Sequence, residues 1–180
     1  MTRPSPDELS AASERTVDDL VGPHLSVLFC GINPGRYSGV TGYHFAGPGN
    51  RFWKVLHLAG YTDRELRPDE SAELVRLGIG ITNLVTRTTA TAAELGRREF
   101  VAGAQRLRRL VAEIEPTVVA VLGVGAYRHG FDKKAPLGRQ PGAPAGTTTF
   151  VLPNPSGLQA RYTLDELVEM FAEVRAAAIA

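Results

Sequence analysis

Two asparagines in this chain stand directly before prolines: Asn33 in "CGINPG" (30–35) and Asn154 in "PNPSGL" (153–158). A proline ring clashes with an α-region predecessor, so each asparagine is held extended and its carboxamide is aimed by the backbone. An amide offers one acceptor and two donor hydrogens. It can orient water or grip a polar edge, but it cannot act as a strong base. The plainer alternative is a rigid turn that happens to contain Asn. Between the two loops lies "GYHFAGPGNRFWK" (42–54), where Phe45 sits among glycines and a proline. A ring there either closes over the core or stacks on a flat ligand such as a base. Phe52 and Trp53, on the segment that follows, read as core. The sequence shows no Ser–His–Asp pattern and no paired carboxylates. An enzyme built from these parts would position water with neutral groups and stabilise a leaving group.

The elements that must carry these loops follow from the pattern. Short Val- and Leu-rich runs at 25–30, 79–85, 117–123 and 148–152, closed by Gly, Asn or Pro, predict strands. Helices are expected between them. One spans 50–59 with Asn50 as its cap. Another covers about 97–115, where Phe100, Ala104, Leu107, Val111 and Ile114 form an amphipathic stripe opposite Arg98, Arg106, Arg108 and Arg109. Thr163-Leu-Asp-Glu166 is a capping box opening a third helix to about Ala178. Alternation of strand and helix predicts a three-layer α/β/α sandwich around a mostly parallel sheet. Ligands of such sheets sit beyond the carboxyl ends of the strands, which places both Asn-Pro loops on one rim.

Composition narrows the classes. The chain has 180 residues and a net charge of +1, yet residues 76–161 hold 12 basic and 5 acidic residues, a local balance of +7. That asymmetry permits a polyanionic partner. Residues 1–15 are polar and lack the apolar core of a signal peptide, so they read as a flexible tail before a single domain over 16–180. No apolar run approaches the length of a membrane span, and a cytoplasmic protein is expected. Cys30 is the only cysteine, so no intramolecular disulfide can form. The four histidines (24, 44, 57 and 129) lack ligand spacing, and no metal is expected.

"GINPG", "FAGPGNRFWK", "GITNLVTRTT" and "LPNPSGL", in this order and spacing, resemble the motifs of the mismatch-specific uracil-DNA glycosylases and their thymine-DNA glycosylase relatives. The likeness runs from about Leu20 to Phe171. It implies a uracil-DNA glycosylase-like domain, monomeric and without cofactor or metal. Its activity would be removal of uracil or thymine mispaired with guanine in duplex DNA, in the bacterial, nucleoid-associated manner. By the same resemblance Asn33 positions the water and Phe45 stacks on the flipped base. Gly31, Ile32, Ser38 and Asn154 complete the base-binding set. Pro155, Ser156, Gly157, Leu158 and Arg161 belong to the loop that enters the helix at the mismatch. Ser38 stands where uracil-preferring bacterial members carry Ser and thymine-processing ones Ala. The chain departs from the pattern at Thr86, where many members carry an acid, and by one extra residue after Leu158. Two other readings remain: a nucleotide-binding module built on "VLGVGAYRHG" (121–130), and a DNA-binding protein without catalysis. The first lacks a well-placed third glycine and a following acid to hold a ribose.

Overall fold

The computed structural model describes residues 3–142, 147–157 and 161–180. Four parallel strands form its centre: β1 (Val27–Gly31), β2 (Ile79–Asn83), β3 (Val118–Leu122) and β5 (Thr148–Leu152). A two-residue strand, β4 (Gly138–Arg139), adds antiparallel to β5, so the order across the sheet is β2-β1-β3-β5-β4. The four parallel strands lie where the sequence pattern predicts them. β4 is too short to leave a pattern of its own.

Alternate residues of the parallel strands enter two separate cores, as expected for strands covered on both faces. Val27 and Phe29 point to one side, packing with α3 (Phe52–Leu58), α4 (Ala72–Arg76) and α7 (Leu164–Ile179). Leu28 and Cys30 point to the other, against α5 (Arg97–Ile114) and α6 (Val124–Gly130). Phe29 lies at the heart of the first core, its ring 5.5 Å from Phe52 and 5.2 Å from Phe171, centre to centre. Burial pushes the Cys30 thiol well above its ordinary range, so it behaves as a small apolar residue. The result is the three-layer sandwich with a mostly parallel sheet.

The expected stripe of α5 buries Phe100, Ala104, Leu107 and Val111. The Thr163 hydroxyl accepts from the Glu166 N–H, completing the cap of α7. At α3 the cap differs from expectation. Arg51, not Asn50, occupies the cap position, and Asn50 Oδ1 accepts the Phe52 N–H from one residue further out, at 2.9 Å. On the basic face of α5 Arg106 is half-buried and pairs with Asp19, whereas Arg98, Arg108 and Arg109 are exposed, Arg108 lying over the Phe131 ring.

Two short helices, α1 (Pro6–Ala11) and α2 (Arg36–Thr41), lie outside the strand-and-helix alternation. Within the segment read as a tail, Ser5 caps α1 and Ala12 is buried. Residues 16–20 then run along the outer edge of β2. Leu20 and Ile81 exchange both backbone hydrogen bonds at 2.8 Å, and Thr16 bridges Arg87. This covers a sheet edge that would otherwise expose unpaired backbone groups.

Candidate active site

The strand order reverses direction between β1 and β3, so the loops after them splay apart and leave a crevice at the carboxyl rim. β1 ends at Gly31, the partner of Asn83 at the end of β2. Beyond both strands the pairing continues irregularly. The N–H groups of Leu84, Val85 and Thr89 donate to the carbonyls of Gly31, Ile32 and Pro34. "GINPG" and "NLVTRTT" are therefore two halves of one rigid ribbon.

Asn33 spans that ribbon. Its Nδ2 donates to the carbonyls of Pro34 and Arg87, each at 3.1 Å, and to Thr89 Oγ1 at 2.7 Å. The Thr89 hydroxyl donates onward to the Thr91 carbonyl, which leaves its oxygen as an acceptor for Asn33. Arg87 is itself tied by ion pairs to Glu14 and Glu99. The amide is thus pinned by its nitrogen, while Oδ1 accepts nothing from any described residue and is free to accept from water.

Phe45 lies half-buried at φ 53°, a left-handed conformation uncommon for a bulky residue. Such backbone strain persists only where surrounding structure enforces it. Here one face of the ring stacks on Phe52 at 4.1 Å between centroids. The buried Ser38 hydroxyl accepts the Ala46 N–H at 3.3 Å, holding the turn from beneath. At Gly31 there is no room for a side chain. A methyl there would overlap Asn83 Oδ1 and lie 3.2 Å from Phe45 Cζ. Gly31, Phe45 and Asn83 therefore converge at the end of β1, with Asn33 two residues further along the same loop.

Asn83 is the polar group that the sequence reading missed. It is buried, and its Nδ2 lies 3.1 Å from Nδ1 of His44, another buried polar side chain. The signal was present but weak: an amide closing an apolar strand, opposite a glycine in the neighbouring strand. Recognising it needs the register of β1 against β2, which one sequence does not supply.

The other predicted residues take separate places. The Ile32 side chain packs against Gly123 and lines a neighbouring cleft of about 750 Å³, together with Asn154 and Arg161. Asn154 Oδ1 accepts the Ser156 N–H at 3.0 Å, shaping its own loop. The Pro155 carbonyl accepts the Arg51 N–H at 2.9 Å, and Gly157 packs so closely on Gly49 that any side chain would collide with backbone. The two proline-glycine loops are thereby locked together. Exposed Arg161 lies over the Tyr162 ring, and Leu158 falls outside the described residues. Gly123 and α6 do follow β3, as the nucleotide-binding reading requires, but α6 has only seven residues. Among the described residues no His, Cys, Asp and Glu cluster could hold a metal ion.

The sequence model of the uracil DNA glycosylase superfamily matches residues 19–177. In solved structures, the fold is similar to a solution NMR structure from Methanosarcina acetivorans provisionally described as a uracil DNA glycosylase. The TM-score is 0.61 at 18% identity, over 90% of this chain and 98% of that one. At that identity the likeness concerns the fold.

Proposed function

The chain belongs to the uracil DNA glycosylase superfamily, and from that premise we propose a monofunctional DNA glycosylase acting on duplex DNA at G·U mismatches, and less well at G·T. Membership supports a hydrolase of the DNA glycosylase type. The finer reading rests on one observation: the Asn33 amide is fixed through Nδ2 with its oxygen left open, two residues beyond Gly31, where Phe45 and Asn83 meet.

A base within a duplex must be extruded before its glycosidic bond is reachable, at a cost of a few kcal/mol that is lower for a mismatch. The exposed side of the Phe45 ring stacks on the extruded pyrimidine. The open edge of Asn83 meets its polar edge. Water held by Asn33 Oδ1 adds to C1′ as the C1′–N1 bond breaks and its electron pair leaves with the base; the added water then gives up one proton through solvent to the departing base anion, leaving a hydroxyl on C1′. The sugar carries oxocarbenium character at that moment, so a weakly activated water suffices once it is in place. The free Nδ2 hydrogen of Asn83 faces the charge that grows on the departing base, an electrostatic contribution made without reorganisation. The Pro155–Gly157 loop, braced on Gly49–Arg51, enters the duplex, and Leu158 fills the vacated stack. The enzyme works as a monomer on nucleoid DNA and initiates base excision repair.

Single-turnover incubation with a G·U duplex, followed by alkali, tests this reading. Strand scission at the uracil is expected. Asn33→Ala should lose most excision while retaining its fold and much of its DNA binding. A folded Asn33→Ala protein that cleaves at the wild-type rate would remove Asn33 from the mechanism. DNA binding without scission by the wild type would leave only a binding protein.

A further inference from the structure

We infer that His44 is a positioning residue that fixes which way round the Asn83 amide faces the base, and thereby sets the site for uracil against cytosine. The inference rests on the glycosylase reading above and extends it to a residue that does not touch substrate.

The geometry leaves little choice. His44 Nε2 lies 2.9 Å from the Asp18 carbonyl oxygen, which can only accept, so Nε2 carries the hydrogen. A neutral imidazole has only one. Nδ1 is then a lone pair, and the Asn83 atom 3.1 Å from it must be the N–H side of the amide. The Asn83 backbone is held independently, its carbonyl accepting from Arg106 Nη1 at 3.1 Å. Arg106 in turn pairs with Asp19 and donates to Thr82 Oγ1, and Thr82 donates to Asp19 Oδ1. With the main chain fixed, rotation of the amide by a half-turn is the principal freedom remaining, and His44 removes it. Burial lowers the His44 pKa, outweighing the Asp18 hydrogen bond and the Asp19 charge that favour protonation, which keeps the ring neutral. Asp18, Asp19 and Arg106 are the charge-bearing residues in this network.

The open edge of Asn83 is then defined. Oδ1 accepts from no described residue, and one Nδ2 hydrogen remains. That pair complements the N3–H donor and C4 carbonyl of uracil. Cytosine presents the reverse, an N3 acceptor and a C4 amino donor, and would need the amide turned over. Turning it would set Oδ1 against the Nδ1 lone pair, or force the other tautomer and break the bond to Asp18. A site that leaves buried polar groups unpaired with the wrong ligand can reject it by roughly 10⁴-fold or more.

Two measurements test the inference. Long-range proton–nitrogen correlation spectra of the wild-type protein near neutral pH read the His44 tautomer. The Nε2–H form is expected, and the Nδ1–H form or an imidazolium overturns the proposal even if no variant folds. The second compares single-turnover excision from duplexes carrying U or C opposite the same base. In folded His44→Leu, uracil excision should fall about 10-fold and discrimination against cytosine should fall by at least that factor. Discrimination unchanged within about 2-fold overturns the proposal while leaving the glycosylase reading standing. Failure of the wild type to excise uracil at all would overturn both.

Discussion

Replacing Asn33 by an aspartate would, on chemical intuition alone, give a stronger base in contact with the attacking water. The geometry predicts a worse enzyme. Every partner of Nδ2 is an acceptor: two carbonyls and a hydroxyl whose hydrogen is committed to Thr91. An ionised carboxylate would face all three with no hydrogen to give. Each acceptor stripped of its donor costs about 1–3 kcal/mol when buried, and less where water can enter. Asn33 is only partly buried, so a total of roughly 2–4 kcal/mol is expected. At ~2–4 °C per kcal/mol for a chain of this size, the melting temperature should drop by about 5–15 °C. The pH dependence gives a sharper test. Three facing oxygens raise the carboxyl pKa in the folded state above its unfolded value of ~3.9. The folded variant then holds its proton more tightly than the unfolded chain. Its deficit against wild type should be largest at neutral pH and shrink as pH falls through the raised value. Urea midpoints of both proteins from about pH 4.5 to 7.5 measure this, alongside single-turnover cleavage of a G·U duplex. Displacing the loop by about 1 Å should slow excision by roughly 100-fold. An Asn33→Asp protein as stable as wild type at the upper end of that range, or a faster one, would refute the argument.

Gly31→Ala forces a methyl into Asn83 Oδ1 and the Phe45 ring, and should cost about 1–3 kcal/mol from overpacking. Its loss of excision should be larger than thermal melting alone explains; a variant impaired in neither contradicts the convergence of these groups. Gly125→Ala, in α6 with open space around it, should instead gain up to about 1 kcal/mol of helix propensity, and a fall in melting temperature would count against the register of that helix. Ser38→Ala should narrow the preference for G·U over G·T by roughly 10-fold, read from the ratio of single-turnover rates, because it removes the hydroxyl holding the Phe45 turn. Because burial depresses the His44 pKa, its contribution to stability is complete above the ordinary His value of ~6.5 and is lost as pH falls through the folded-state value. Subtracting the urea-midpoint profile of His44→Gln should expose that loss; parallel profiles would show that His44 does not titrate there.

The strands and the two long helices were legible because their signals are local. Parallel strands buried on both faces read as unbroken apolar runs, and α5 and α7 carry their own stripe and cap. The motif loops were legible because proline and glycine mark them. Groups that become significant only through a partner elsewhere in the chain were not. Arg106 reads as one of four arginines opposite the apolar stripe of a helix, yet it spans α5 to Asp19 and the end of β2. His44 reads as a stray histidine without ligand spacing, yet Asp18 and Asn83 hold it from two distant segments. Ser38, read as a group beside the base, supports the Phe45 turn through the Ala46 N–H.

A common device connects the three asparagines on this rim. Asn33 and Asn83 each commit nitrogen to the protein and leave oxygen open, whereas Asn154 commits oxygen to the Ser156 N–H and no described residue accepts from its nitrogen. An amide anchored at one end loses its rotational ambiguity before any ligand arrives, so less ordering remains to oppose binding. The choice of anchored atom then sets the chemistry of the free one. Two open acceptors suit a water that must be held by its hydrogens and a base that donates from N3. They do not suit the negative charge that appears on that base as the bond breaks. Donors for that charge must come from the second Nδ2 hydrogen of Asn83 and from backbone N–H groups at the rim. The orientation of Asn83 therefore bears on the transition state as well as on recognition. If His44 lets the amide turn, the donor is withdrawn from the leaving group together with the acceptor for N3–H, so the chemical step of uracil excision should slow along with the loss of discrimination.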